Sequence, residues 1–357
     1  FSRNKILLSW MVFLGISVFL LSILGSFIVR SGILNSVHSF ASDPSRGVFL
    51  LSLFALFSFA SIALFFSRSV FLQSDWPKFL SKQYLLVLNN LVLLVILLIV
   101  FLGTLYPIAT EVFYGQKLSI GPDYFSQLIT PLVLILICLF SVEQFPSLLR
   151  EHRNVFFTSA IAITAGIIAL EFLDFSPISF SLIFVLVALV IMLLRAIAEF
   201  FKTKEVAIMH KILGHFSVVL LTFAVLFNHQ YSESVDLKLK PGQSTEFADS
   251  SLEFKSIEIL GKENFDTVVA NFYVKDKNFQ ADVISEKRVY KIGGIITSET
   301  GIASFPTKDY HIVLGDRFQD GSWSIRYSIN YGIMMIWASS FLLLFSMLYG
   351  TIRRYGY

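Results

Sequence analysis

The sequence predicts an all-α polytopic membrane protein of about eight transmembrane helices, with a small outer all-β, barrel-like domain inserted before the last helix. Three observations carry this expectation. Of the 357 residues, 55% are hydrophobic and 15% charged, and the mean hydropathy is +0.72, more apolar surface than a soluble chain can bury. The apolar residues fall in long runs of the roughly 20 residues that carry a helix across a hydrocarbon core of about 30 Å. One stretch near the C-terminus abandons these runs for period-two alternation.

The spans are expected at 6–29, 48–66, 84–105, 125–142, 155–173, 178–198, 207–227 and 331–349. The first closes on Arg30, and the second follows Pro44, which suits a first helical turn behind an N-cap at Ser42 or Asp43. The third carries the amide pair Asn89 and Asn90, read as helix–helix glue or as the wall of a cofactor pocket. The fourth holds the lone cysteine, Cys138. Residues 231–330 differ in kind. SLEFKSIEI, TVVANFYVK, RVYKI, YHIVLGD and SWSIRYSI alternate apolar and polar residues, and PGQ, LGKEN and QDGS supply turns between them. Closure into a barrel would remove exposed edges. The expected division is therefore 1–230 for a seven-helix bundle, 231–330 for the β domain, and 331–357 for the last helix and tail.

Positive charge sets the expected orientation. Thirteen basic residues lie on one side: Arg3, Lys5, Arg68, Lys78, Lys82, Arg150, Arg153, Arg195, Lys202, Lys204, Lys211, Arg353 and Arg354. The short loops of the other side hold Arg30, Arg46 and Lys117. Both termini are expected inside, with the stretch around His38 and the β domain outside. The net charge of +3, without a basic patch interleaved with aromatics, argues against nucleic acid. A single cysteine excludes an internal disulfide and a CxxC thiol-exchange site. No Ser-His-Asp set, phosphate-cradling glycine loop or zinc-spaced Cys/His cluster is present in the sequence. The first residue is Phe rather than Met, which marks either processing or a piece of a longer protein.

Four of the six histidines read as interfacial or solvated: His152, His210, His229 and His311. His215 is different. Counted from a span opening near Ala207, it stands roughly 12 Å into the bilayer, where an ionisable group needs a partner. A helix–helix hydrogen bond, a proton relay and a metal ligand are the open roles. His210, five residues earlier, points about 140° away around the same helix. His38 sits in RSGILNSVHSFASDPSRG between Arg30 and Arg46. It reads as a surface histidine on a re-entrant loop, or as a metal ligand flanked by two arginines that grip paired carboxylates. Haem fits the second description, with an apolar macrocycle, two propionates and an iron that accepts imidazole. Asp43 is the residue that would orient that imidazole, apart from its N-cap role.

These stretches carry a resemblance. LGSFIVRSGILNSVHSFASDPSRG, SKQYLLVLNNLVL, GTLYPIATE, KLSIGPDYF, ILGHFSVVLL, KRVYKIGGIITSETGIA and DYHIVLGD, then a final span after SWSIRYSIN, resemble the CcmF family in family order. That family is the haem lyase subunit of cytochrome c maturation, a holocytochrome c synthase. The resemblance implies that haem is attached covalently to apocytochrome c outside the inner membrane, bacterial or mitochondrial. It implies the haem chaperone CcmE as donor and the thiol-handling CcmH as partner. It makes His38 one of two histidines that hold the incoming, transient haem, and His215 one of two axial ligands of a resident haem b.

The chain departs from the family in one respect. Its four tryptophans, Trp10, Trp76, Trp323 and Trp337, are scattered, whereas the family carries a tryptophan-rich WWD motif and one further histidine of each kind in its N-terminal half. The chain therefore looks like the C-terminal half of such a lyase and needs the other half as a partner. Thioether formation draws its thiols from the substrate, so a chain with only Cys138 suits it. A multispan transporter or exporter of haem or lipid, and a non-catalytic scaffold subunit, are the alternative readings.

Overall fold

A computed structural model describes residues 8–30, 44–68, 77–79, 81–116, 118, 120–143, 181–190, 192–193, 206–292 and 294–355. Among these residues six helices are long and apolar enough to cross a membrane. They are α1 (Leu8–Arg30), α2 (Pro44–Ser67), α3 (Lys82–Tyr114), α4 (Pro122–Glu143), α6 (Val206–Tyr231) and α7 (Ile333–Tyr355). A shorter apolar helix, α5 (Ser181–Val190), lies inside the span expected at 178–198. The span expected at 155–173 lies outside the described residues. The chain divides into two compact units, Phe1–Leu139 and Phe140–Tyr357.

In the first unit, α1 and α2 pair as an antiparallel hairpin. Phe19 meets Phe57 edge-on at 5.3 Å, and Phe13 meets Phe65 at 6.4 Å. Pro44 opens α2 with a preset φ, and Arg30 closes α1, where a cation suits the carbonyl end of the helix. Helix α3 runs nine residues past its expected end at 105. Ser81 caps its start by accepting the Tyr84 N–H at 3.2 Å. Its end is set by Gly115, whose φ of +67° favours glycine and whose N–H reaches the Glu111 carbonyl at 3.1 Å, while the Gln116 N–H reaches the Thr110 carbonyl at 3.4 Å. Pro107 sits inside the helix without ending it.

In the second unit, α6 and α7 pack closely along a seam of small residues. The Ser346 hydroxyl donates to the His210 carbonyl at 2.7 Å, and Ser217, Ser339 and Ser346 are buried. A Cβ on Gly350 would stand 2.9 Å from the His210 ring, and one on Gly214 would stand 3.0 Å from the Ser346 hydroxyl. Helices approach this closely in lipid because small residues let their backbones meet.

Nine strands lie between these helices: β1 (Glu233–Leu239), β2 (Ser244–Phe247), β3 (Ser250–Gly261), β4 (Phe265–Asp276), β5 (Gln280–Tyr290), β6 (Ile296–Glu299), β7 (Gly301–Ser304), β8 (Lys308–Arg317) and β9 (Trp323–Tyr331). The β domain expected over this stretch is present, and the five alternating segments fall largely in strands; at the end of RVYKI, Lys291 and Ile292 lie in a turn. The strands form two antiparallel sheets, in the orders β1-β9-β8-β7 and β2-β3-β4-β5-β6, and do not hydrogen-bond around into one ring. Alternation explains the core: Leu252, Phe254, Phe272, Tyr310, Ile312, Leu314, Ile325 and Tyr327 point inward and are fully buried. The domain is tied to its flanking helices. The Asn228 amide donates to the Tyr331 carbonyl at 2.8 Å and to the Ser232 hydroxyl at 2.9 Å, and that hydroxyl accepts the Tyr331 N–H at 3.1 Å.

Candidate functional site

His215 lies on α6, half-buried, with its imidazole flat against the Phe140 ring of α4. The centroids are 5.4 Å apart and the planes differ by 4°. His210 faces elsewhere. Its ring packs on Gly350 and meets Tyr349 at 6.3 Å, and its Nδ1 is buried without a hydrogen-bond partner. The two histidines therefore diverge as their spacing implies, His210 into the α6–α7 seam and His215 onto Phe140.

His215 lies three residues into the apolar stretch Ile212–Tyr231 of α6, and Phe140 is the last residue of the apolar stretch Pro122–Phe140 of α4. Among the described residues, no three His, Cys, Asp or Glu side chains converge where a metal ion would sit. One imidazole against an aromatic wall is a donor set that suits one axial position of a haem better than a bare ion.

The α1–α2 hairpin brings Arg30 and Arg46 to the same end, both exposed. His38, Ser42 and Asp43, between them in sequence, lie outside the described residues, as does His152. Asn89 of the amide pair has a buried Oδ1 with no hydrogen-bond partner. His229 is exposed, consistent with an interfacial role. His311 is half-buried, and burial lowers its pKa against the opposing charge of Asp309.

One cluster escaped sequence reasoning. Asp276, at the tip of the β4–β5 hairpin, is 3% exposed and pairs with Lys308, 12% exposed, at 2.5 Å. Its carboxylate also accepts the Tyr310 hydroxyl at 2.6 Å and the Asn278 and Phe279 N–H groups at 2.6 and 2.8 Å. Burial works against the charge, but these donors together hold the carboxyl well below the usual range. Burial and the neighbouring Asp276 push the Tyr310 hydroxyl well above its own. Lys308 pairs across the sheet with Tyr331, beside the start of α7, so the cluster fixes the end of the sandwich next to the helices. Partners 32 residues apart leave no local signal; the inward register of Tyr310 in KDYHIVLGD was the only available sign.

Comparison with known proteins bears on the family. Residues 230–330 match the model described as the CcmF C-terminal beta-sandwich. The cytochrome c-type biogenesis protein CcmF of Pseudomonas aeruginosa is 32% identical over 363 residues, covering 96% of this chain and 54% of that protein. Its counterpart in Pseudomonas fluorescens is 31% identical over 376 residues, covering 99% and 56%. The chain belongs to the CcmF family. A solved structure described as Cytochrome c Heme Lyase CcmF superposes with a TM-score of 0.65 over 96% of this chain and 54% of that one. At 17% identity this shows a shared fold. As in CcmF, a β-sandwich follows the multi-pass helices near the C-terminus. The chain spans about half the length of the CcmF relatives it matches.

Proposed function

We propose that this chain is part of a haem lyase that attaches haem covalently to apocytochrome c on the outer side of an inner membrane. The observation that carries the reading is the α1–α2 hairpin, which sets Arg30 and Arg46 at one end; His38 falls between them in sequence. The two guanidinium forks match the two propionates of a haem substrate, and His38 supplies an imidazole to its iron. Haem comes from the chaperone CcmE, and the apocytochrome thiols are presented with CcmH. Each thiol sulfur adds to one carbon of a haem vinyl group and its proton to the other, so no net oxidation occurs. The chain contributes position: a substrate held by its propionates and its iron leaves both vinyl edges free for the thiols.

His215 would help to hold a resident haem b, which would supply electrons to keep the incoming iron reduced. The further histidine of each haem site would come from an N-terminal half that bears the tryptophan motif. The His38 stretch and the β-sandwich occupy the outer side, in keeping with the bias of positive charge.

The test is covalent haem on cytochrome c, read by haem staining after denaturation. His38→Ala should abolish the stained product while the b-type visible spectrum stays intact. Arg30→Ala and Arg46→Ala should each lower it, with Lys substitutions recovering it only in part, because a point charge replaces a fork. Full staining in His38→Ala would overturn the assignment.

A further inference from the structure

We infer that Phe140 is a positioning residue for His215, fixing the plane in which that imidazole is offered to haem. The inference rests on the reading of His215 as an axial ligand and adds a second residue to it. An imidazole turns about its Cβ–Cγ bond in a broad, roughly two-fold well, so a defined ring plane needs a neighbour to select it. Phe140 supplies such a neighbour. The two rings are parallel within 4° at 5.4 Å between centroids, the separation of an offset stack.

Both partners of the stack are themselves fixed. Phe140 stands near the end of α4, where Leu136 and Ile137, one turn earlier, are 7% and 1% exposed. The rotation of α6 about its axis is set from the opposite side, by the Ser346 bond to the His210 carbonyl and the seat of the His210 ring on Gly350. Helix α7 thus sets the direction of His215, and Phe140 sets the plane of its ring. Phe140 has no polar atom to offer a ligand, so its influence passes through orientation, as that of outer-shell partners does at metal-bound histidines. The plane of an axial imidazole governs the orbital splitting of low-spin ferric haem, and that splitting is read directly by electron paramagnetic resonance.

The experiment uses the haem-bearing assembly that contains this chain and compares Phe140→Leu, Phe140→Tyr, Leu136→Ala and His215→Ala. Phe140→Leu keeps apolar bulk but loses the flat face. It should retain haem content while shifting and broadening the largest g value. Phe140→Tyr restores the ring and should return the signal. Leu136→Ala removes packing from the same face of α4 and should lower yield without moving the g value, which separates orientation from stability. His215→Ala should lose the low-spin signal altogether. If that loss occurs but Phe140→Leu leaves the g value unmoved, the positioning role is wrong and the ligand role stands. If His215→Ala keeps its signal, both fall.

Discussion

At the scale of single residues, two histidines five positions apart on α6 have opposite surroundings, and this makes them separable. His215→Ala should abolish or shift the b-type visible spectrum of the assembly, while His210→Ala, whose ring sits in the α6–α7 seam, should leave the spectrum in place and lower thermal stability. The divergence was legible in the sequence, because a spacing of five residues fixes the angle around a helix. The neighbours were not, because Phe140 lies 75 residues before His215 and Gly350 lies 140 residues after His210. The Asp276 cluster was illegible for another reason, since its members meet only through strand pairing. It carries a pH prediction. The Asp276 carboxyl titrates lower in the folded domain than in the unfolded chain. The stability it contributes is therefore complete above the ordinary carboxylate pKa near 3.8 and is lost as the pH falls below it. Asp276→Asn should flatten the acid limb of a pH–stability curve followed by limited proteolysis of the β domain. Lys308→Met leaves a buried charge without its cation and should cost roughly 3 kcal/mol at neutral pH, the lower end for a buried pair because Tyr310 and two N–H groups remain.

At the scale of elements, the helices were legible where hydrophobicity alone decides them and less so where it does not. Helices α1, α2, α4, α6 and α7 appear where their apolar runs predict. Helix α3 extends further than its apolar run, because a helix continues through Tyr106–Tyr114 until Gly115 offers a left-handed stop. The seam between α6 and α7 was not foreseen. Glycine and serine are common in apolar runs, and nothing local distinguishes a serine that bonds its own helix from Ser346, which reaches across to the His210 carbonyl. The seam predicts its own mutants. Gly350→Val places a branched side chain against the His210 ring and should destabilise by about 1–3 kcal/mol, the usual cost of overpacking. Gly15→Val on α1, where an added Cβ meets nothing within 4 Å, should be close to neutral. Thermal unfolding in one detergent, followed by circular dichroism, compares the two directly.

At the scale of the whole molecule, alternation located the β domain and its strands, while the number of sheets lay beyond it. Period two says which residues face inward but not which strands pair, and the two-sheet arrangement comes from pairings such as β1 with β9, some ninety residues apart. The sandwich joins the C-terminal end of α6 to the N-terminal end of α7, so in this antiparallel pair both junctions face one side of the membrane. His215 is sixteen residues from the Tyr231 junction, roughly 24 Å along α6. The side is the proposal's: thirteen basic residues in the short loops of one face against three on the other predict a sandwich on the outer side. A Cys138→Ala background carrying Glu263→Cys, at the exposed β3–β4 turn, tests this in intact cells or mitoplasts. A membrane-impermeant maleimide should label that cysteine from outside without permeabilisation. A cysteine at Ser39, beside His38, should behave in the same way. Labelling of both only after permeabilisation would invert the topology. The His38 stretch would then face the compartment opposite to the apocytochrome, and the lyase reading would lose its outer site while the family assignment stood.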